Sequence, residues 1–525
     1  MEYKVIIPTA GLGSRLGKIS RNINKSLVSI AQKPSISYII EKFPEEMEFV
    51  IPIGYKKEMV VEFLTIAYPY RNFTFVEVEP FDGKGAGLGF TMLLCRDYLQ
   101  CPFIFCSNDT IVLEDIPAPS CNWMGYADVE NQEQYRGIRF DLYGKVTDIC
   151  SKGSIGNVKP YIGLSGVHDF ETFWDAMEVG QAYGAIEIGE SYGMRALLHK
   201  KAIESVQFTW FDTGNLDRLK ESRDYFQSIN KEAPNVLEKE GESIWFIDDK
   251  VVKFNIDTSF ISNRVERSKL LDHYIPKITA FSEHMYSYKK IDGVIFSKSP
   301  TLPLFKSFLD WMSGFWIKKE LGKDELDRFR NKCLEFYKDK TLDRVRQYLM
   351  RFEMLDEEEI INDQKIPPLK KMMESINWDI ISKGIPVRFH GDLHFENILI
   401  CSSSDEEPFA LLDWRQDFAG ELLYGDIYYD FAKLLHGLIV SHELIAKDFY
   451  NVSRKINKVS YEFLQKNSMI ECREYFKKYI IAHGYNWEKV ELLTALVFLN
   501  IAPLHHYPYT HLLFSLGKMM LHRQI

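Results

Sequence analysis

At 525 residues, with 46% hydrophobic and 26% charged side chains, the chain has ordinary globular composition and is too long for one core. Wholesale disorder and a fibrous repeat are excluded, and two domains are expected. The net charge of −10 excludes a dedicated nucleic-acid binder, so any anionic ligand must be held by local features. The eight cysteines are scattered, and Cys95, Cys101 and Cys106 match neither a metal knuckle nor a disulfide framework, so they read as reduced thiols.

The first residues, MEYKVIIPTAG, form an apolar run without a cationic leader or a cleavage site, so they read as a first strand and the protein is expected in the cytoplasm. From 1 to about 225, short apolar runs (5–8, 48–53, 73–78, 103–106) alternate with helical stretches (35–43, 87–98), which predicts an α/β domain with a parallel sheet. A polar segment near 225–238 precedes SIWFIDDKVVKF, a hairpin turning at Asp248-Asp249. The expected domains are therefore 1–230 and 236–525. Helical patterns dominate the rest (304–321, 324–354, 427–445, 490–499), with a compact loop-and-strand region at 385–415, so a small β-lobe joined to a larger helical lobe is expected. The apolar stretch at 492–503 contains Asn500 and falls short of the roughly 20 residues a membrane span needs.

The first strand runs into Ala10-Gly11-Leu12-Gly13-Ser14-Arg15, with Lys25 ten residues after the arginine. A glycine loop leaving a strand lets backbone N–H groups approach phosphate oxygens, and the two cations can stabilise a leaving pyrophosphate. Two rival glycine motifs fail by position: a dinucleotide fingerprint needs glycine where Leu16 stands, and a P-loop needs Ser or Thr where Ile19 stands. Further on, the apolar run 102–106 ends at Ser107-Asn108-Asp109, and Asp212 follows in WFDTGN. Two carboxylates at the ligand-binding edge of an α/β sheet can hold Mg²⁺.

These segments, with GKGAGLGF at 83–90, SKG at 151–153, YIGLSGVHDF and GES at 189–191, resemble the sugar-phosphate nucleotidyltransferase family, which includes phosphocholine cytidylyltransferases, over about 215 residues. The resemblance implies a Rossmann-like mixed sheet of the GT-A type. It also implies triphosphate contacts from Ala10, Gly11, Gly13, Arg15, Lys25 and Gly85, Mg²⁺ on Asp109 and Asp212, and acceptor contacts from Lys152 and Glu190. Because the family often has Glu-Lys-Pro where Ser151-Lys152-Gly153 stands, Lys159 competes with Lys152 for the acceptor phosphate.

The second half carries HGDLHFENIL at 390–399. Asp392 can accept a hydroxyl proton while Asn397, five residues on, coordinates Mg²⁺, with Asp413 of LLDW as a second metal carboxylate. Lys253 in the upstream hairpin, with Glu266 thirteen residues on, suits a lysine held by a glutamate on ATP phosphates. Together with GDIYYDFAKL, these motifs resemble the aminoglycoside phosphotransferase and choline kinase superfamily over roughly 238–525. That resemblance implies an α+β protein-kinase-like fold, ATP, Mg²⁺, a small hydroxyl acceptor and a hinge near 286–293; EKEGES at 238–243, with Gly241 alone, stands where a glycine-rich loop would be, so the ATP cover is expected to differ. Gly425-Asp426 and Asp430 are placed on the acceptor side, with capping or ion pairing as the alternative roles. Aromatic residues such as Trp311, Trp316, Tyr424, Tyr428 and Tyr429 could stack on a quaternary ammonium, or line the core.

A kinase makes the phosphate ester that a nucleotidyltransferase consumes. The expectation is therefore a bifunctional enzyme that phosphorylates a sugar, polyol or amino alcohol and couples the product to CTP or UTP as a precursor of surface polysaccharide. Its partners are expected to be small molecules and, if it assembles, copies of itself, with no nucleic acid. The competing readings are a nucleotide sensor or scaffold without turnover and a kinase for drug-like acceptors.

Overall fold

The computed structural model describes residues 2–130, 132–154, 156–230, 241–402 and 407–525. The chain folds as two compact units, Met1–Thr258 with Thr279–Tyr288, and Ser259–Ile278 with Lys289–Ile525.

The first unit is built on a sheet whose path runs Val146–Cys150, Gly137–Phe140, Lys159–Val167, Phe103–Cys106, Lys4–Ile6, Glu48–Ile53, Asn72–Glu77. Lys4–Ile6 pairs in parallel with Glu48–Ile53 and Phe103–Cys106, while Lys159–Val167 runs antiparallel to Phe103–Cys106, so the sheet is mixed. The central strand Phe103–Cys106 is apolar and buried throughout because both its faces are covered, whereas Val146–Cys150 and Asn72–Glu77, at the two ends of the path, carry polar and exposed residues. Side chains alternate across the sheet, so Val5, Phe49, Ile51 and Ile104 enter one core while Ile6, Val50, Phe103 and Phe105 enter another. The predicted strands and helices are present within a few residues, although 87–98 divides into the α-helix Leu88–Cys95 and the 3₁₀ turn Arg96–Tyr98.

The hairpin Glu242–Ile247 and Lys250–Asn255 turns at Asp248 as the sequence predicts. With Met285–Lys289 and Ile278–Phe281 it forms a four-stranded sheet. Its packing differs from the expected boundary at 236, because its apolar face closes on the first unit. Fully buried Trp245 meets Phe63 edge-on at 5.1 Å, and its indole N–H donates to Ser29 Oγ at 2.8 Å. Lys250 Nζ donates to the Ala67 carbonyl at 2.9 Å. Glu62 accepts from Ser282 Oγ and the His284 backbone N–H at 2.7 and 3.0 Å. Burial of aromatic surface outweighs sequence proximity to the helical lobe. The expected linker lies partly in 231–240, and the nucleotide-cover segment partly with it, outside the described residues.

The second unit is mainly helical. All thirteen residues of Ile427–Ile439 are buried, and Asn467–Ala482 and Trp487–Ile501 pack on it. The predicted helix at 324–354 is present in three pieces, Lys323–Leu334, a π turn at Glu335–Asp339 and Lys340–Arg351. A small sheet of Gly293–Ile295, Ile398–Cys401 and Phe409–Leu411 carries the 390–415 motifs. A second sheet, containing Glu359–Ile361 and the hairpin Tyr450–Lys455 and Lys458–Phe463, has no counterpart in the sequence reading. Among the described residues, no helix is long and apolar enough to cross a membrane.

Candidate active sites

In the first unit, the loop after Lys4–Ile6 is tied down before it reaches its glycines. Thr9 Oγ1 donates to the Pro52 carbonyl at 2.8 Å, and the Asn24 amide donates to the carbonyls of Thr9 and Tyr55 at 3.1 and 2.7 Å. Gly13 has φ 65°, and a Cβ there would lie 2.8 Å from Lys25 Cβ, so glycine is what admits Lys25 to the loop. Gly11 and Gly85 sit in open surroundings where a ligand can approach the backbone, while Ala10 is buried against Gly54.

Asp109 Oδ2 lies 3.3 Å from Lys25 Nζ and 3.6 Å from Arg15, and Ser107 Oγ donates to its other oxygen at 2.5 Å. Asp212 accepts from the Gly214 backbone N–H at 2.8 Å and from the Tyr135 hydroxyl at 2.9 Å. The two carboxylates converge: a Cβ on Gly214 would meet Asp109 Oδ2 at 2.9 Å, Asp212 Oδ1 at 3.0 Å and Arg15 at 3.2 Å. Burial pushes the Asp109 carboxyl up, but Lys25, the Ser107 hydroxyl and Arg15 outweigh it and hold it below its usual range. Burial and then the Asp109 charge push Asp212 up. The two converging carboxylates offer oxygen donors of the kind that Mg²⁺ takes.

A cavity of about 180 Å³ is lined by Arg136, Ser151, Lys152, Ile188 and Arg195. Lys152 therefore faces a basic recess, whereas Lys159 is engaged with Asp128 at 2.5 Å. Arg136 and Arg195 went unnoticed in the sequence because one lies in the loop before Gly137–Phe140 and the other on the helix Glu190–Leu198, and only the fold gathers them. Glu190, expected at the acceptor, is instead an internal brace, 1% exposed, accepting from Ser165 and Ser191 at 2.7 and 3.3 Å.

In the second unit, the Leu412 N–H donates to the Asn397 carbonyl at 2.8 Å, joining the Asp392 loop to the Asp413 loop. Asn397 Nδ2 donates to the Asp392 carbonyl at 2.9 Å and to Asp392 Oδ2 at 3.3 Å. Asp413 has φ 56°, and its Oδ1 lies 3.1 Å from Arg264. Asp392 Oδ1 lies 2.7 Å from Lys433 Nζ, and His394 Nε2 lies 3.7 Å from Asp392 Oδ2. Burial pushes the Asp392 carboxyl up, but Lys433 and His394 reverse this and hold it well below its usual range, so it is ionised. Buried His390 is pushed down to about 3 by desolvation and is neutral, with Nε2 2.9 Å from the Leu412 carbonyl. Asn397 and Asp413, oxygen donors on adjoining loops, fit a divalent cation.

Asp430 is a correction to its expected place on the acceptor side. It is fully buried and accepts from the backbone N–H groups of His390 and Gly391 at 2.9 and 2.7 Å and from Trp316 Nε1 at 3.1 Å, so it braces the catalytic loop. Glu266, expected to hold Lys253, is exposed and pairs with Lys269 at 2.6 Å. The residues of Thr258–Leu271 that serve the site are Arg264 and Arg267. The buried Arg267 guanidinium donates to the carbonyls of Phe389, Arg415 and Leu422, tying both loops to this helix. Lys253 is buried within its strand, 6% exposed. Tyr286, in the expected hinge, is fully buried.

Residues 328–447 match the phosphotransferase enzyme family. The N-terminal part is similar to the bifunctional protein GlmU of Methanococcus vannielii, 27% identical over 175 residues, covering 32% of this chain and 41% of that protein. It is also similar to choline-phosphate cytidylyltransferase of Streptococcus pneumoniae, 28% identical over 253 residues, covering 47% of this chain and 93% of that protein. Among solved structures, CTP:phosphocholine cytidylyltransferase from S. pneumoniae aligns at 17% identity and TM-score 0.37, covering 43% of this chain and 100% of that one. A UDP-glucose pyrophosphorylase complexed with UDP-glucose aligns at 19% and 0.37, covering 44% and 100%. The chain thus spans less than half the length of the first of these relatives, and it joins a segment homologous to nucleotidyltransferases to a phosphotransferase-family segment.

Proposed function

We propose that the protein is a bifunctional transferase that phosphorylates a small hydroxyl metabolite with ATP and then couples the ester to an NTP, CTP being favoured by the likeness to choline-phosphate cytidylyltransferase. The observation that carries this is the presence on one chain of two separate sets of site residues, one converging at Asp109 and Asp212 and the other at Asp392, Asn397 and Asp413. The Lys253 hairpin is assigned to the phosphotransferase for its lysine, although it packs with the first unit.

At the second site, Asp392 orients the acceptor hydroxyl. The acceptor oxygen bonds to the γ-phosphorus, the bond from γ-phosphorus to the β,γ-bridging oxygen breaks, ADP leaves, and the proton passes to Asp392. A carboxylate held ionised by Lys433 takes the proton late, which suits a loose phosphoryl transition state. At the first site, a phosphate-ester oxygen bonds to the α-phosphorus of the NTP and the bond from the α-phosphorus to the α,β-bridging oxygen breaks, releasing pyrophosphate towards Arg15 and Lys25. Asp109 and Asp212 at the first site, and Asn397 and Asp413 at the second, would hold Mg²⁺, which would supply charge neutralisation on the phosphates. Lys152, Arg136 and Arg195 would hold the acceptor phosphate.

³¹P NMR of the protein with Mg²⁺, ATP, CTP, UTP and a panel of alcohols tests the sequence of steps. Asp212→Ala should stop at the phosphate ester, and Asp392→Ala should form the NDP product only when that ester is supplied. Ester and NDP product both absent with the wild-type protein across the panel would favour a sensor or scaffold.

A further inference from the structure

Two acids of the GDIYYD segment that could greet a cationic acceptor, Asp426 and Asp430, are occupied inside the fold. Asp426 accepts from the Ile385 and Tyr428 N–H groups at 2.9 and 3.2 Å and from the Tyr337 hydroxyl at 2.8 Å. Asp430 holds the catalytic loop as described. Positive charge gathers instead around the loop that carries Asp392. Besides Lys433, Lys340 at the start of Lys340–Arg351 places Nζ 4.3 Å from the Phe336 ring centre, and the Arg415 guanidinium lies 4.8 Å from the same ring. The π turn Glu335–Asp339 puts Phe336 and Lys340 on this side, and the bond from Arg415 N–H to the His390 carbonyl, 2.9 Å, fixes Arg415 beside the catalytic loop.

Lys433 is matched by Asp392. Lys340 and Arg415 have no carboxylate within ion-pair distance among the described residues; Arg415 Nε donates only to the Asp417 carbonyl, at 3.0 Å. Burial, and then the charges of Arg415, Lys433 and Arg344, push the Lys340 amine well below its ordinary range. Two like charges brought to one ring in a partly desolvated place repel each other, and an anion between them turns that cost into attraction. Lys253, the lysine assigned to the ATP phosphates, lies on a different element. Under the proposed function Asp392 meets the acceptor hydroxyl, so the cations beside its loop are placed to flank the acceptor.

We propose that the phosphotransferase acceptor is an anionic alcohol, whose carboxylate or phosphate group is held by Lys340 and Arg415 while its hydroxyl faces Asp392. The inference rests on the proposed kinase function and narrows its acceptors, setting aside quaternary ammonium alcohols.

The test compares ADP release with glycerate, glycerol phosphate, glycerol and 3-amino-1,2-propanediol, which share a hydroxyl framework and differ in charge. One of the two anions should exceed glycerol about tenfold or more in kcat/KM, with the ammonium compound lowest, and which anion wins separates carboxylate from phosphate. Lys340→Met and Arg415→Met should each raise KM for that anion about tenfold while KM for ATP moves less than about twofold and the thermal midpoint holds. A preference for the neutral or ammonium acceptor overturns the proposal, and so does a raised KM for ATP with acceptor KM unchanged, which would assign the cations to ATP. If no compound releases ADP, the kinase reading itself has failed these acceptors. Saturation-transfer NMR of glycerate and glycerol phosphate then decides the inference, since anion binding lost in Arg415→Met supports it and absence of anion binding overturns it.

Discussion

Asp109 and Asp212 carry the same side chain and are driven in opposite directions by their neighbours. Lys25, Ser107 and Arg15 hold one down, while burial and the first carboxylate push the other up. Asp109→Asn and Asp212→Asn should each reduce pyrophosphate release by about 10²- to 10³-fold through lost charge stabilisation, with ADP release unchanged; a phosphate assay coupled to pyrophosphatase reads the first and an assay coupled to ADP reads the second. Away from both sites, His511 in the second unit is pushed down to about 4 by burial and then by Arg454, and its Nδ1 lies 2.5 Å from the Tyr348 hydroxyl. A histidine kept neutral in the fold but protonated in the unfolded chain costs stability as pH falls below its ordinary value of about 6.5, at about 1.4 kcal/mol per pH unit until the folded value is reached. His511→Asn should flatten that slope between pH 6 and 4.5 in urea titrations, whatever it does to stability at pH 7.5. The sequence could show these residues but not their shifts, because a shift is set by neighbours distant in the chain.

The hairpin at 242–255 shows what an element's own pattern can and cannot reveal. Alternating apolar residues and an Asp-Asp turn predict it, and the structure has it with Asp248 at φ 51°. Nothing local says which core receives Trp245. Trp245→Ala should cost about 3 to 5 kcal/mol in denaturant unfolding of the first unit, with loss of the Ser29 hydrogen bond included. The same limit applies to Ile427–Ile439, whose periodicity gives a helix but not that every side chain on it is buried. There Asp430 caps a loop by accepting two backbone N–H groups, a role its motif does not announce. Asp430→Ala should lower kcat for ADP release by about a hundredfold or more, because a misplaced catalytic loop loses near-attack geometry, and should leave pyrophosphate release intact. The hairpin at 450–463 escaped notice because its polar, half-exposed strands carry little apolar signal.

For the molecule as a whole, under the proposed function two transferases on one chain would fix stoichiometry without requiring that the intermediate stay bound. Mixing the Asp212→Ala and Asp392→Ala proteins should therefore restore NDP product after a lag, followed by ³¹P NMR; restoration blocked at every ratio of the two would mean that the ester is not released. The sequence by itself determined that there are two modules, that the first is α/β, and where the phosphate loop and the HGDLHFENIL loop lie. Strand periodicity, glycine positions and short-range motifs are encoded within a few residues of one another. Only the tertiary structure decided that the hairpin packs with the first unit, that Glu190 and Asp430 are braces, that Glu266 faces solvent while Arg264 meets Asp413, that Lys433 meets Asp392, and that Lys340 and Arg415 share the Phe336 ring. Each of those outcomes depends on burial and on charges brought together from distant parts of the chain, which local sequence does not specify.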